Sequence, residues 1–123
     1  VYLSLGMTYF GNKKLDMKSV RVETDKNYYD FTCDDQFDGG YDNDLKAWFD
    51  YELFDMDDET SWLNEWLAAK SVTATFTGRD GSTKTYTLTK DNLQAIRDVL
   101  NVYDTLLGSD VSTARVVLRS LVK

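Results

Sequence analysis

Carboxylates are the side chains best placed to do chemistry in this chain, and they concentrate in residues 34–59. Residues 34–39 read DDQFDG, in which oxygen-bearing side chains precede a glycine as they do at the opening of an EF-hand calcium loop. The position of the closing bidentate glutamate falls on Leu45, and Gln36 stands where a carboxylate is usual, so a standard EF-hand is not predicted. Two interpretations stay open: an irregular calcium site, or a solvated acidic loop in which Asp44 caps a helix. The candidate calcium ligands are Asp34, Asp38, Asp42 and Asp44.

Aromatic residues are interleaved with these acids. The spacing of Trp48, Trp62 and Trp66 fits helices that place the three rings in the core. Tyr41, beside Gly40, is instead expected to be exposed. Exposed rings next to carboxylate acceptors suit a sugar, a cationic peptide or a protein surface, because rings supply large contact area at low entropic cost. The predicted binding residues are Asp34, Asp38, Tyr41, Asp42 and Asp44.

The absence of histidine narrows the enzymatic options. Ser-His-Asp catalysis, Cys-His catalysis and histidine-ligated zinc cannot be built within this chain. The single cysteine, Cys33, cannot close an internal disulfide, and its alternation with Tyr29 and Phe31 predicts burial as a small hydrophobe. Paired carboxylates could hydrolyse a glycosidic bond, but no spacing in the sequence fixes two carboxyl groups at the required separation. We therefore predict a protein that is not an enzyme, with a small carboxylate-dependent hydrolase as an alternative.

The charge of the chain limits its partners. A net charge of −7 at pH 7 disfavours nucleic acid, since binding there depends on Lys and Arg neutralising phosphates. No apolar run approaches the roughly 20 residues of a membrane-spanning helix. We expect an acidic, soluble protein with no membrane-spanning segment, no cofactor other than calcium, and a protein or glycan partner. The sequence leaves the oligomeric state open.

Hydrophobic periodicity predicts an α+β fold. Alternating apolar residues indicate a strand over 1–10, a strand pair over 20–33 and a hairpin over 72–88. Apolar stripes at helical spacing predict helices over 44–55, 60–70, 90–107 and 114–121, the last with valines that would also suit a strand. The expected architecture is an antiparallel sheet of about five strands with three to four helices packed on one face.

A short sequence echo suggests an internal repeat. Residues 15–20 read LDMKSV and residues 67–72 read LAAKSV, at matching points before a strand pair. The echo predicts two related hairpin-plus-helix halves, 15–55 and 67–108, within a single globular domain spanning residues 1–123.

The second of these halves carries a family resemblance. Residues 73–93 form a threonine-rich hairpin through GRDGS that runs into a KDNL helix start, and this segment resembles domains of uncharacterised bacterial surface or lipoprotein sequences. The resemblance covers about a sixth of the chain, implies a location outside the cell and supplies no functional residues; a cytoplasmic location stays open.

Taken with the charge and the aromatic pattern, this resemblance leads to a functional prediction. We predict a non-catalytic binding or interaction module of a secreted or surface-attached bacterial protein, which engages its partner through the acidic, aromatic-rich region. A calcium-stabilised domain is the second alternative, beside the hydrolase.

Overall fold

The structure, a computed structural model, describes residues 2–33, 38–106 and 113–121, and for Asp38, Leu106 and 113–121 it describes the backbone alone. The elements in chain order are β1 (Tyr2–Gly11), β2 (Met17–Thr24), β3 (Tyr28–Thr32), β4 (Asp38–Asp42), β5 (Ala47–Asp55), α1 (Thr60–Ala68), β6 (Val72–Gly78), β7 (Thr83–Thr87), α2 (Lys90–Leu106) and β8 (Thr113–Leu121).

The strands form two four-stranded sheets. The first sheet has the order β4-β5-β1-β8, and the second has the order β3-β2-β6-β7. All neighbours are antiparallel except β1 and β8, which pair in parallel. The described part of the chain is therefore mostly β, with two helices. The prediction of one five-stranded sheet carrying three to four helices is wrong.

The first error concerns residues 44–55, which were predicted to be helical. Ala47–Asp55 is instead β5, a strand between β4 and β1. Four aromatic residues in nine positions favour a strand, and this preference together with pairing on both edges outweighs the apparent helical spacing. The hairpin-plus-helix halves are wrong for the same reason: the β2-β3 hairpin leads into β4 and β5, whereas the β6-β7 hairpin leads into α2.

The second error concerns the tail, predicted as a helix over 114–121. Thr113–Leu121 is β8, which pairs in parallel with β1 from Tyr2 opposite Thr113 to Phe10 opposite Leu121. Its valines favour a strand, and β1 offers it a free edge in the first sheet. Only this long-range pairing decides between the two structures.

The remaining elements confirm the sequence pattern. In β1 the alternating residues Leu3, Leu5, Met7 and Tyr9 are all buried. The β6-β7 hairpin turns at Gly81, whose φ of 87° lies in the left-handed region that glycine adopts readily. The two described helices, α1 and α2, match the predicted segments 60–70 and 90–107 within a few residues.

One hydrophobic core lies between the inner faces of the two sheets and the helices. Trp66 of α1 is fully buried, and its ring lies 5.8 Å from that of Tyr29 and 6.0 Å from that of Phe31, both on β3. Cys33 is buried as predicted. Trp62 is only partly buried and packs against the same core, so α1 is held to the second sheet mainly by aromatic contacts.

Candidate functional site

Four of the five predicted binding residues lie in the β4-β5 hairpin, at the outer edge of the first sheet. Asp38 opens β4, while Tyr41 and Asp42 close it and Asp44 lies in the following turn. Asp34 lies outside the described residues. Tyr41 is 46% exposed, which confirms its predicted exposure, and its ring packs edge-on at 5.3 Å from the half-buried Trp48. The hairpin is thus acidic and aromatic, as the sequence suggested, but it is not a helix.

The carboxylate of Asp42 stabilises the turn that follows β4. Its Oδ1 accepts hydrogen bonds from the backbone N–H groups of Asp44 and Leu45, both at 2.9 Å. This arrangement closes the turn between β4 and β5 in the manner of an Asx turn. Among the residues that the structure describes, no three acidic or cysteine side chains come together as a metal site. The calcium hypothesis therefore depends on Asp34 and on the side chain of Asp38, which lie outside that part.

The outer face of the first sheet carries a second group of aromatic side chains. Cross-strand register places Phe10 of β1 opposite Phe49 of β5, with Tyr51 and Leu53 further along β5 on the same face. We call these four residues the aromatic face. The rings of Phe10 and Phe49 lie 6.1 Å apart, and both side chains are half-buried, as is Tyr51, whereas Leu53 is 39% exposed.

A shallow depression lies within this face. It has a volume of about 290 Å³, and its lining consists of Thr8, Phe10, Asp42, Phe49 and Tyr51. Asp42 and Tyr41 are adjacent in β4 and therefore project to opposite faces, so the predicted binding residues do not form a single surface. Sequence reasoning missed Phe10 and assigned Phe49 to a helix. The signal that could have found the face is the period-two alternation of Phe49, Tyr51 and Leu53.

The outer face of the second sheet has a different composition. Threonines dominate β6 and β7, with Thr75 opposite Thr85. On β2, Arg21 forms an ion pair with Asp30 of β3 at 2.8 Å and lies over the ring of Tyr28. Hydroxyl and charged groups are usual on a solvated sheet face, and Tyr28 is a single ring there, whereas the rings of the first sheet form a cluster.

A buried carboxylate faces the core from β5. Asp50 is 1% exposed, lies opposite Tyr9 in the β1-β5 register, and neither of its oxygens accepts a hydrogen bond of normal geometry. Burial, and next the Asp16 carboxylate, raise the pKa of Asp50, against smaller opposing effects from the Met17 N–H and the Lys14 ammonium. Asp50 in turn adds to the effect of burial in raising the pKa of Tyr9.

Comparison of the chain with protein-family models, with curated proteins and with solved structures gave no match. Neither described helix has both the length and the apolar composition that crossing a membrane requires.

Proposed function

We propose that this chain is a non-catalytic interaction module of a secreted or surface-attached bacterial protein, and that it binds a basic protein partner through the aromatic face. The observation that carries the proposal is the contrast between the two outer sheet faces. One carries threonines, an ion pair and the exposed ring of Tyr28, and the other carries a cluster of three half-buried rings with the exposed Leu53 around a depression. Contiguous apolar surface bordered by polar residues is typical of interaction sites.

The exposure of these side chains is unfavourable unless a partner covers them. Tyr2, which precedes the aromatic face along the same side of β1, is 63% exposed, and Leu53 is 39% exposed. Burial of such side chains stabilises a complex by about 25 cal/mol for each Å² of apolar surface removed from water. Aromatic anchors are also the residues that most often dominate binding energy at interfaces.

Charge supports a basic partner. The chain carries a net charge of −7, and Asp42 lies in the depression itself. A second copy of the chain would bring the same net charge to the interface, whereas Lys and Arg on a different protein would complement it. The partner surface we propose therefore has an apolar centre, with its basic residues on the side that meets Asp42.

The edge strand of the first sheet can also bind the same partner, through main-chain hydrogen bonds. β4 is the outermost strand on its side of that sheet and contains Gly39 and Gly40, which add little bulk. An extended peptide segment can add to such an edge through main-chain hydrogen bonds while its side chains contact the neighbouring face. A partner bound at this edge would be separated from Phe49 only by Gly40 of β4, so its side chains could reach the aromatic face.

Selection from a displayed library of random peptides on the immobilised chain tests this proposal. We expect the selected peptides to combine Lys or Arg with apolar residues, and to bind more weakly as salt concentration rises. The double variant Phe49→Ser, Tyr51→Ser should weaken their binding at least tenfold, which corresponds to about 1.4 kcal/mol. Its matched control is Thr75→Ser, Thr85→Ser on the second sheet, which should leave affinity unchanged.

Loss of two half-buried rings could also weaken binding by unfolding the chain, so a second variant changes an exposed position instead. Leu53→Lys alters an exposed position and places a positive charge where a basic partner must approach, so it should also weaken binding. Selection that enriches no basic peptide, or peptides that bind both aromatic-face variants as well as the parent chain, would overturn the proposal. Binding of a sugar on a glycan array that is lost in the same variants would replace the protein partner with a carbohydrate.

A further inference from the structure

A lysine-lined cleft opens between the two sheets, away from the aromatic face. Its volume is about 370 Å³. Asn12, Lys13 and Lys14 line it from the β1-β2 loop, and Ser82 and Lys84 line it from the β6-β7 hairpin. Three lysines thus gather in one cleft of a chain that has 14 Lys and Arg residues against 21 Asp and Glu residues. Such local reversal of the net charge attracts anions.

Two acids accompany these lysines: Asp80, which itself lines the cleft, and Asp16, which lies beside it. Asp80 accepts hydrogen bonds at Oδ1 from the Ser82 N–H at 2.9 Å and from the Ser82 hydroxyl at 2.6 Å. Asp16 lies 3.3 Å from the ammonium of Lys14. Within the described ranges of the chain, neither Lys13 nor Lys84 forms an ion pair, and three lysines outnumber the single carboxylate in the cleft lining, so the cleft carries a net positive charge.

The lysines stand on elements that are docked to each other. The Arg79 N–H donates to the Asp16 carbonyl at 2.9 Å, which ties the β1-β2 loop to the β6-β7 hairpin. Gly78 makes this approach feasible, because a Cβ there would lie 2.3 Å from the Leu15 carbonyl oxygen. The backbone segments that carry the lysines are therefore docked before any ligand arrives, which lowers the cost of binding.

Tyr9 forms the floor of the cleft, with Asp50 beside it on the neighbouring strand. Gly11 leaves room for the Tyr9 hydroxyl, since a Cβ at that position would lie 2.0 Å from the oxygen. Burial raises the pKa of Asp50, which favours the protonated form of this carboxyl. The floor of the cleft is thus polar, and the lysines lie around it.

We infer that this cleft binds a phosphate or sulfate group, either free or as an ester on a larger ligand. Lys13 and Lys84 supply ammonium groups from opposite sides, and Asn12 and Tyr9 supply neutral donors. Ammonium groups act as compact point charges for phosphate and sulfate oxygens, and such charge-assisted hydrogen bonds are stronger than neutral ones. The inference does not depend on the aromatic face.

Calorimetric titration of the full chain with inorganic phosphate, with sulfate and with a sulfated monosaccharide, at constant ionic strength, tests the inference. We expect saturable binding of at least one of these probes. The variant Lys13→Gln, Lys84→Gln should weaken it at least tenfold, and the matched control Lys70→Gln, Lys90→Gln, with the same change in charge at exposed positions elsewhere, should not. Tighter binding of the sulfated sugar than of free sulfate would identify an ester as the ligand, and the reverse order would identify the free ion.

Two results would overturn the inference: no saturable binding of any of the three probes, or equal weakening by the two double variants, which would reduce the effect to net charge. The chain with Phe49→Ser and Tyr51→Ser should bind the anion as the parent does, so failure of the anion site and failure of the proposed partner surface can be told apart.

Discussion

Replacement of Trp66 by alanine is expected to lower the free energy of unfolding by about 3–5 kcal/mol. The indole is fully buried and lies within 6.0 Å of the rings of Tyr29 and Phe31, so its loss leaves a large cavity between α1 and the second sheet. Domains of this size are stable by about 5–15 kcal/mol, so the variant should be close to the limit of folding. Urea denaturation followed by circular dichroism measures the change.

Trp48→Ala provides the matched control for this large effect. Trp48 is half-buried and packs against the exposed Tyr41 at the edge of the first sheet, where water can fill the space left by the ring. Replacement of Trp48 should lower the free energy of unfolding clearly less than replacement of Trp66 does. Equal destabilisation by the two substitutions would contradict the assignment of the core to the space between the sheets.

Replacement of Asp50 by asparagine is expected to stabilise the fold at neutral pH, because the uncharged amide removes the cost of holding a titratable carboxyl in a buried site. The pKa of Asp50 in the folded chain is raised, first by burial and then by Asp16, so the folded chain binds its proton more tightly than the unfolded chain does. Stability must therefore fall as pH rises from the unfolded pKa, about 3.9, through the folded pKa.

The pH dependence of the Asp50→Asn effect on stability serves as the control for this prediction. The stabilising effect of Asp50→Asn should be largest above the folded pKa and should shrink as pH falls towards and below 3.9, where Asp50 is protonated in both states. Asp44→Asn, at an exposed turn position, should shift stability by less than about 0.5 kcal/mol. Thermal unfolding across this pH range measures both. A less stable Asp50→Asn variant at pH 7 would mean that the carboxylate is ionised and stabilising there.

The local spacing of apolar residues was sufficient to predict an element where one face of that element is clearly apolar. The alternation of Leu3, Leu5 and Met7 predicted β1, and the stripe of Ile96 and Leu100 predicted α2, because each places its apolar residues on one buried side. The pattern failed for β5 because Trp48 and Phe54 place apolar side chains on the opposite face, which obscures the alternation of Phe49, Tyr51 and Leu53. Its identity follows from pairing with β1, about 40 residues away along the chain.

The candidate sites likewise divide into features that the local sequence predicts and features that depend on contacts between distant segments. The exposure of Tyr41 was predicted from its neighbouring glycine and was confirmed. The aromatic face was not predicted, because it exists only once β5 pairs with β1 and brings Phe49 opposite Phe10. Likewise, no local pattern connects Lys13 with Lys84, since the docking of a loop on a distant hairpin brings them to one cleft.

Hydroxyl-radical footprinting of the chain, with and without a selected basic peptide, tests the central claim most directly. In the free chain we expect labelling of Tyr51 and Leu53 on the aromatic face, and of Tyr28, which is 56% exposed on the outer face of the second sheet. The peptide should protect Tyr51 and Leu53 and leave the labelling of Tyr28 unchanged. Protection of Tyr28 with undiminished labelling of Tyr51 and Leu53 would place the binding surface on the other sheet and contradict the account.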